Sequence, residues 1–423
     1  MRICPLIFLG CVLGLATGVS AATGAPLLVS SATGPVTSAE ISAFKNYMDG
    51  ETPPNDGSGN VWVFGHPGKA LEALCLMVEV SHDPQILNRA IVFADAALAG
   101  RNDLLSAADG GQRRAWTGKI EPIWPSSAPG VEPAGAGIEQ GDVLSHIAFC
   151  AKLILQMPAL ADQLVPDHDP HHFGKTYHQR ALTYLAQCDH VIDAWILPHF
   201  IRAAEHNHYY FPAGANTYKA SEPAPWNQAW MLTNALVRLA ECHALLKDAP
   251  KRVALYDAIA APNIDWFLAN QRRNISRAGT RCCIWAYSLS APEGVEDTNH
   301  AAYDTEGLWI AYHSGRYLLT AAQLLPFANT YVDVVMATQK DGRFAGRVDG
   351  STGTNHAGGD DFVRDEYLYL AEFRPDAFPA MAKAELAGNH AASSPPITAR
   401  LLWEIDRRSK HLSPQTAASH PEK

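Results

Sequence analysis

The chain is poor in charge, in strand-forming segments and in long apolar runs. Charged residues make up 18% of its 423 positions, against roughly a quarter in ordinary soluble domains. No block of lysine and arginine stands out and the formal net charge is −10. Both facts argue against a nucleic-acid partner. Beyond the amino-terminal segment no stretch is apolar and uninterrupted enough to cross a bilayer, so no membrane span is expected. The CxxC and HExxH spacings of common metal sites are missing, and neither a metal nor another cofactor is expected. No stretch recurs at a fixed period, which argues against an open solenoid.

What is present begins with Arg2, the apolar run "ICPLIFLGCVLGLATGV" and the small residues "VSAA". This reads as a secretory signal over residues 1–21, cleaved after Ala21, and the mature protein is expected to be secreted or periplasmic. The "FLGC" that ends at Cys11 resembles a lipobox, but the apolar run before it is short. Six cysteines remain: Cys75, Cys150, Cys188, Cys242, Cys282 and Cys283. An even number permits disulfides without requiring them. Four lie in apolar helical runs, where a buried thiol is the plain reading.

Apolar residues at three- and four-residue spacing predict helices over 68–81, 84–100, 141–157, 177–196, 227–246, 252–271, 302–315 and 322–338, with shorter ones at 363–373 and 379–388. The best strand candidates are "NVWVF" (60–64) and "CCIWAYSL" (282–289). Helix pairs in this number, with no long linker, predict an all-α fold. The expected architecture is an (α/α)6-type toroid over 38–412, complete or incomplete, with few short strands. The polar residues 413–423 are expected to be a disordered tail.

Segments between these helices combine tryptophan with histidine, asparagine and glycine, which simple connectors do not need. Examples are "RRAWTGKIEPIWPSS" (113–127), "GIEQGDVLSH" (137–146), "AEHNHYYFPAG" (204–214), "EPAPWNQAW" (222–230) and "EDTNHAAYD" (296–304). Aromatic faces stack on sugar rings while amides and charged groups bond hydroxyls, so the set reads as the lining of a carbohydrate cleft. The candidate binding residues are Trp116, Glu139, Asp142, His146, Trp226, Asn227, Gln228, Glu296, Asp297 and Arg364. Several have a plainer reading as well: Asp297 and Asn227 suit a helix N-cap, and the aromatics suit ring-end plugs. His300, Tyr303 and Asp304 are spaced to share one helical face. Asp360 and Asp361 offer a further cation site in a glycine-rich loop.

Two reactions suit these residue types. β-Elimination on a uronic acid needs neutralisation of the C6 carboxylate, a base for the C5 proton and an acid for the leaving oxygen. Asn299, His300 and Tyr303 form one such set, and Asn207, His208 and Tyr209 a second. Glycoside hydrolysis needs two carboxylates instead, and Glu139, Asp142, Glu296, Asp297, Asp360 and Asp361 are available. Binding of a polysaccharide or oligosaccharide without catalysis is the third reading.

The helical hairpins and the "NH" steps followed by tyrosine resemble the (α/α)-toroid carbohydrate enzymes, among them alginate- and heparin-type polysaccharide lyases, unsaturated glucuronyl hydrolases and N-acylglucosamine 2-epimerases. The resemblance spans about 38–412 as architecture but only short patches as motif. It implies that Asn207, His208, Tyr209, Asn299, His300 and Tyr303 are the catalytic positions. The "NNH" step of many alginate lyases is replaced here by "HNH", and no C-terminal β-sandwich follows.

Overall fold

The structure is a computed structural model that describes residues 26–53, 59–64, 69–106, 111–336, 344–353, 365–386 and 390–412. The expected signal, the polar tail, Arg364, Asp360 and Asp361 lie outside the described residues.

In chain order the helices are α1 (Ser38–Gly50), α2 (Val61–Phe64), α3 (Ala70–Ser81), α4 (Pro84–Ala99), α5 (Gln140–Leu155), α6 (Tyr177–Val191), α7 (Leu197–Phe200), α8 (Trp226–Leu246), α9 (Pro250–Ala269), α10 (Thr298–His313), α11 (Ala321–Thr330), α12 (Phe378–Leu386), α13 (His390–Ser393) and α14 (Pro395–Leu412). A 3-10 helix spans Asp365–Glu372. Shorter 3-10 turns lie at Pro158–Leu160 and Ala203–Glu205 and π-helical turns at Ile192–Ile196 and Tyr331–Val335. There are two antiparallel ribbons, β1 (Ile201–Arg202) with β2 (His208–Tyr209) and β3 (Arg272–Ile275) with β4 (Arg281–Ile284).

The packing closes a ring. α3 lies against α5, α5 against α8, α8 against α10, α10 against the 3-10 helix, that helix against α14, and α14 back against α3. Helices α1, α4, α6, α9, α11 and α12 pack outside, so outer and inner elements alternate along the chain. The fold is an all-α toroid of six outer–inner pairs among the described residues, and α14 closes it. Alternation makes each hairpin antiparallel and all inner helices parallel, so their amino termini meet at one mouth. Lys69, just before α3, accordingly reaches Glu306 of α10 and Glu366 of the 3-10 helix.

Local chemistry sets the helix starts. Thr37 and Glu40 form a capping box on α1, Thr176 and Gln179 another on α6, and Asp83 caps α4 ahead of Pro84. The inner helices α3, α5 and α8 open at the mouth without a side-chain cap. Asn227 is therefore not the N-cap of α8; Trp226 starts that helix, and its N–H donates to Tyr287 O at 3.1 Å. The expected strand at 60–64 is a helical turn instead. Asn60 Oδ1 accepts the Trp62 N–H at 2.9 Å, the local side-chain bond that competes with a strand ladder. The strand expected over 282–289 stops at Ile284. All six cysteines are free and buried.

α5 and α8 make the closest approach. A Cβ on Gly141 would lie 2.3 Å from Leu232 Cα and 2.4 Å from Leu232 N, both backbone atoms that cannot move aside. Gly141→Ala is therefore expected to destabilise the protein by at least about 2 kcal/mol in denaturant titration. Gly50→Ala, at a position with nothing within 4 Å, serves as the neutral control.

Candidate active site

The axis of the ring is polar. On the inner face of α3, Glu72 accepts a hydrogen bond from the Tyr369 hydroxyl at 3.4 Å and pairs with Arg400 at 3.4 Å and Arg238 at 3.6 Å. His146 of α5 stands 3.7 Å from Glu72 and 3.5 Å from Asp142. Lys69 donates to Glu306 at 3.1 Å and Glu366 at 2.8 Å, and its ammonium sits 4.5 Å from the Tyr303 ring centre. Arg400 also reaches Asp365 at 3.0 Å.

Electrostatics divides these groups. Against the cost of burial, Arg400, Arg238 and Lys69 hold the Glu72 carboxyl down to about 2. Burial pushes Asp142 up to about 7, and the Glu306 and Glu72 charges add to that while Lys69 opposes it. Burial drives His146 well below its ordinary value, aided by Arg238 and Lys69. His146 is thus neutral, and neither of its ring nitrogens has a hydrogen-bond partner among the described residues. Below this layer Tyr369 stacks on Trp309 at 4.2 Å and Trp403 meets Trp309 edge-on at 5.0 Å, and the three rings line a cavity of about 240 Å³ at the far end.

At the mouth, Asp297 caps α10 by accepting the His300 N–H at 2.9 Å. Its other oxygen lies 2.6 Å from His300 Nδ1. A carboxylate on Nδ1 holds the neutral imidazole with its proton there, leaving the Nε2 lone pair free. His300 is half-buried, and the Tyr287 ring lies 5.0 Å from it. Burial and the neighbouring Tyr218 hydroxyl raise the Tyr287 phenol above its ordinary value, so it keeps its proton. Asn299 is half-buried in the first helical turn. Tyr303 lies one turn deeper, buried against Lys69. Asp304 lies one turn deeper than His300 on α10; its Oδ2 accepts the Trp285 indole N–H at 2.7 Å, and it is fully buried.

A cavity of about 340 Å³ adjoins the starts of α5 and α8, lined by Trp62, Glu139, Phe211, Asn216, Lys219 and Gln228 among others. Glu139 accepts the Gly137 N–H at 2.8 Å. Burial lowers the Lys219 ammonium, with the Glu139 charge opposing. The Oδ1 of Asn227 and Oε1 of Gln228 are buried and have no hydrogen-bond partner among the described residues.

The remaining expected residues have structural engagements. Trp226 is buried edge-on against Trp266 and Phe267. Trp116 packs at 5.2 Å on both Trp195 and His199, and its indole N–H donates to Ala136 O. In the Asn207–His208–Tyr209 set, Asn207 and His208 lie against the outer helix α9, and Tyr209 reaches the inner helix α8. Asn207 donates to Ala258 O at 3.1 Å, His208 stacks on Trp266 at 3.9 Å, and the buried Tyr209 hydroxyl meets Thr233 at 3.1 Å. The two catalytic sets expected from sequence are therefore not joined by any direct contact.

Sequence reasoning missed Tyr287, read as strand, together with Lys219 and the axial Glu72, Arg238, Glu306 and Arg400. Glu72 and Arg238 carried a usable signal, each a charge inside a largely apolar helical run, "ALEALCLM" and "ALVRLA"; Glu306 and Arg400 stand among other charges and carried none.

No family profile and no curated protein matches this chain. A solved structure described as "Polysaccharide Lyase BACCELL_00875" is 12% identical, covers 91% of this chain and 100% of its own, and superposes with a TM-score of 0.35. At that TM-score the likeness carries no argument, and the geometry of the site stands alone. No helix among the described residues is long and apolar enough to cross a membrane.

The raised Asp142 gives a pH test. An acid with a higher pKa folded than unfolded binds its proton more tightly when folded. It costs no stability below pH 4 and an increasing amount between about pH 4 and 7. Asp142→Asn removes that cost. The substitution is expected to leave Tm unchanged at pH 4 and to raise it at pH 8, by up to about 4 kcal/mol in stability for roughly three pH units.

Proposed function

We propose that the ring mouth is the active site of an exported enzyme that cleaves a uronate-containing polysaccharide by β-elimination. The observation that carries this reading is the Asp297–His300 pair with the Tyr287 ring beside it, at the positive ends of the parallel inner helices.

The chemistry follows from the atoms. His300 Nε2 takes the C5 proton, the C5–H electrons form the C4=C5 double bond, and the C4–O bond breaks. A tyrosine phenol gives its proton to the leaving oxygen. Asn299, Asn227, Gln228 and Lys219 supply amide or ammonium donors to neutralise the C6 carboxylate. Tyr287 and Tyr303 compete for the acid role: Tyr287 lies beside His300, and Tyr303 lies one turn deeper on the same helix. The 340 Å³ cavity with Trp62 offers room for a neighbouring sugar.

Hydrolysis is the second reading, and a specific observation favours it. Asp142, held near 7, is still largely protonated in mildly acidic solution and serves as a general acid, and the buried Glu139 serves as the partner carboxylate.

The test is a panel of uronate polysaccharides, read for ultraviolet absorbance of the unsaturated product and for reducing ends. Elimination raises both, and His300→Ala lowers kcat/KM by about 10²- to 10⁴-fold. A comparable loss in Tyr287→Phe with Tyr303→Phe nearly unaffected assigns the acid to Tyr287; the reverse assigns it to Tyr303. Reducing ends without absorbance, lost in Asp142→Asn, replace elimination by hydrolysis. Binding with neither signal replaces both by a non-catalytic glycan-binding role.

A further inference from the structure

The entry of α10 holds more acid than capping or orientation of His300 requires. Ligand atoms of Glu296, Asp297 and His300 all lie within 4.8 Å of one another. His300 Nδ1 is 2.6 Å from Asp297 Oδ2 and 3.8 Å from Glu296 Oε1. Glu296 is 0% exposed, and its Oε2 has no hydrogen-bond partner among the described residues. Asp304, outside this trio, is also 0% exposed; its Oδ1 is unpartnered too, and its charge acts on Glu296. The only ion-pair partner of Glu296 and Asp297 among the described residues is His300, and Asp304 has none. Buried carboxylates without a cation cost several kcal/mol each, so such groups are paired, bind metal or hold a proton; burial and the Asp304 and Asp297 charges push Glu296 well above its ordinary value, and a bound cation would displace that proton.

The backbone around them is fixed from both sides. The Glu296 N–H donates to Trp285 O at 2.7 Å, and the Val348 N–H donates to Glu296 O at 3.1 Å. The carboxylate of Glu296 is thereby held in place from the interior, while half-buried Asp297 and His300 face the mouth.

We propose that Glu296, Asp297 and His300 form a divalent-cation site at the ring mouth, with Asp304 as an outer partner. An imidazole among carboxylates selects a borderline ion, Mn²⁺ or Zn²⁺, over Ca²⁺ or Mg²⁺. Three protein ligands leave positions for water or substrate. The site shares His300 with the elimination reading but does not rest on it. A cation on Nδ1 moves the proton of the neutral imidazole to Nε2, so cation binding and the base role of His300 exclude each other.

The test measures binding rather than turnover, so its outcome is separate from that of the lyase assay. Chelator-treated protein is titrated with Mn²⁺ and with Zn²⁺ by calorimetry, and retained metal is quantified after desalting. Wild type is expected to take up one equivalent more than Glu296→Gln. Asp297→Asn, which keeps an N-capping side chain, is expected to bind about 10- to 100-fold more weakly. Far-UV circular dichroism of Asp297→Asn checks that the fold is intact. The difference between variants is the readout, because any Zn²⁺ on the exposed His168, His171 and His172 is common to all of them. Equal uptake by wild type and both variants, or no uptake by wild type, overturns the site. Preference for Ca²⁺ or Mg²⁺ overturns His300 as a ligand.

Discussion

The Glu72 carboxylate is the point on which the ring depends. It lies on the axis and is met by Arg238 from α8, Arg400 from α14, Tyr369 from the 3-10 helix and His146 from α5. Lys69 extends the network to α10 through Glu306. Burying this many charges is costly unless every partner is in place. A ring missing α14 would leave Glu72 and Glu306 short of Arg400. The ionic axis therefore favours the closed toroid over partly assembled alternatives, while the apolar contacts between inner and outer helices supply the bulk of the stabilisation.

The same axis gives the ring two unlike ends. Trp309, Tyr369 and Trp403 cluster toward the carboxy-terminal end of the inner helices, where they line a second cavity. At the amino-terminal end the helices α3, α5 and α8 begin without side-chain caps, and their dipoles point positive charge outward. That is the end where Asp297, His300, Tyr287 and the cavity around Lys219 are found. Asp297 serves two roles there, since one oxygen caps α10 while the other orients the histidine of the same turn.

The helices were legible because each buries one face, and that face prints a three- and four-residue rhythm on the chain. Ten expected segments correspond to helical elements. Helix α14 escaped notice because its inner face carries Arg400 and Arg407, with Asp406 and Arg408 beside them, so the apolar rhythm is broken by charge. The turn at Val61–Phe64 was misread because "NVWVF" has strand propensity, and the Asn60 side chain, not propensity, decided it. The contact between His300 and Asp297 was legible because the two stand three positions apart at a helix entry, within reach of one another. His208 looked equivalent in sequence, yet its ring is spent on Trp266.

The sequence by itself determined the helical elements, the polar character of their entries and the residue types available for sugar chemistry, since these follow from local periodicity and composition. Tertiary structure alone decided which entries share one mouth and that Tyr287 stands beside His300. It also decided that Asp304 turns to Trp285 and that charges from the inner helices meet on one axis. Those outcomes depend on ring closure, which joins residues separated by up to hundreds of positions, such as Glu72 and Arg400. No local pattern encodes such a pairing.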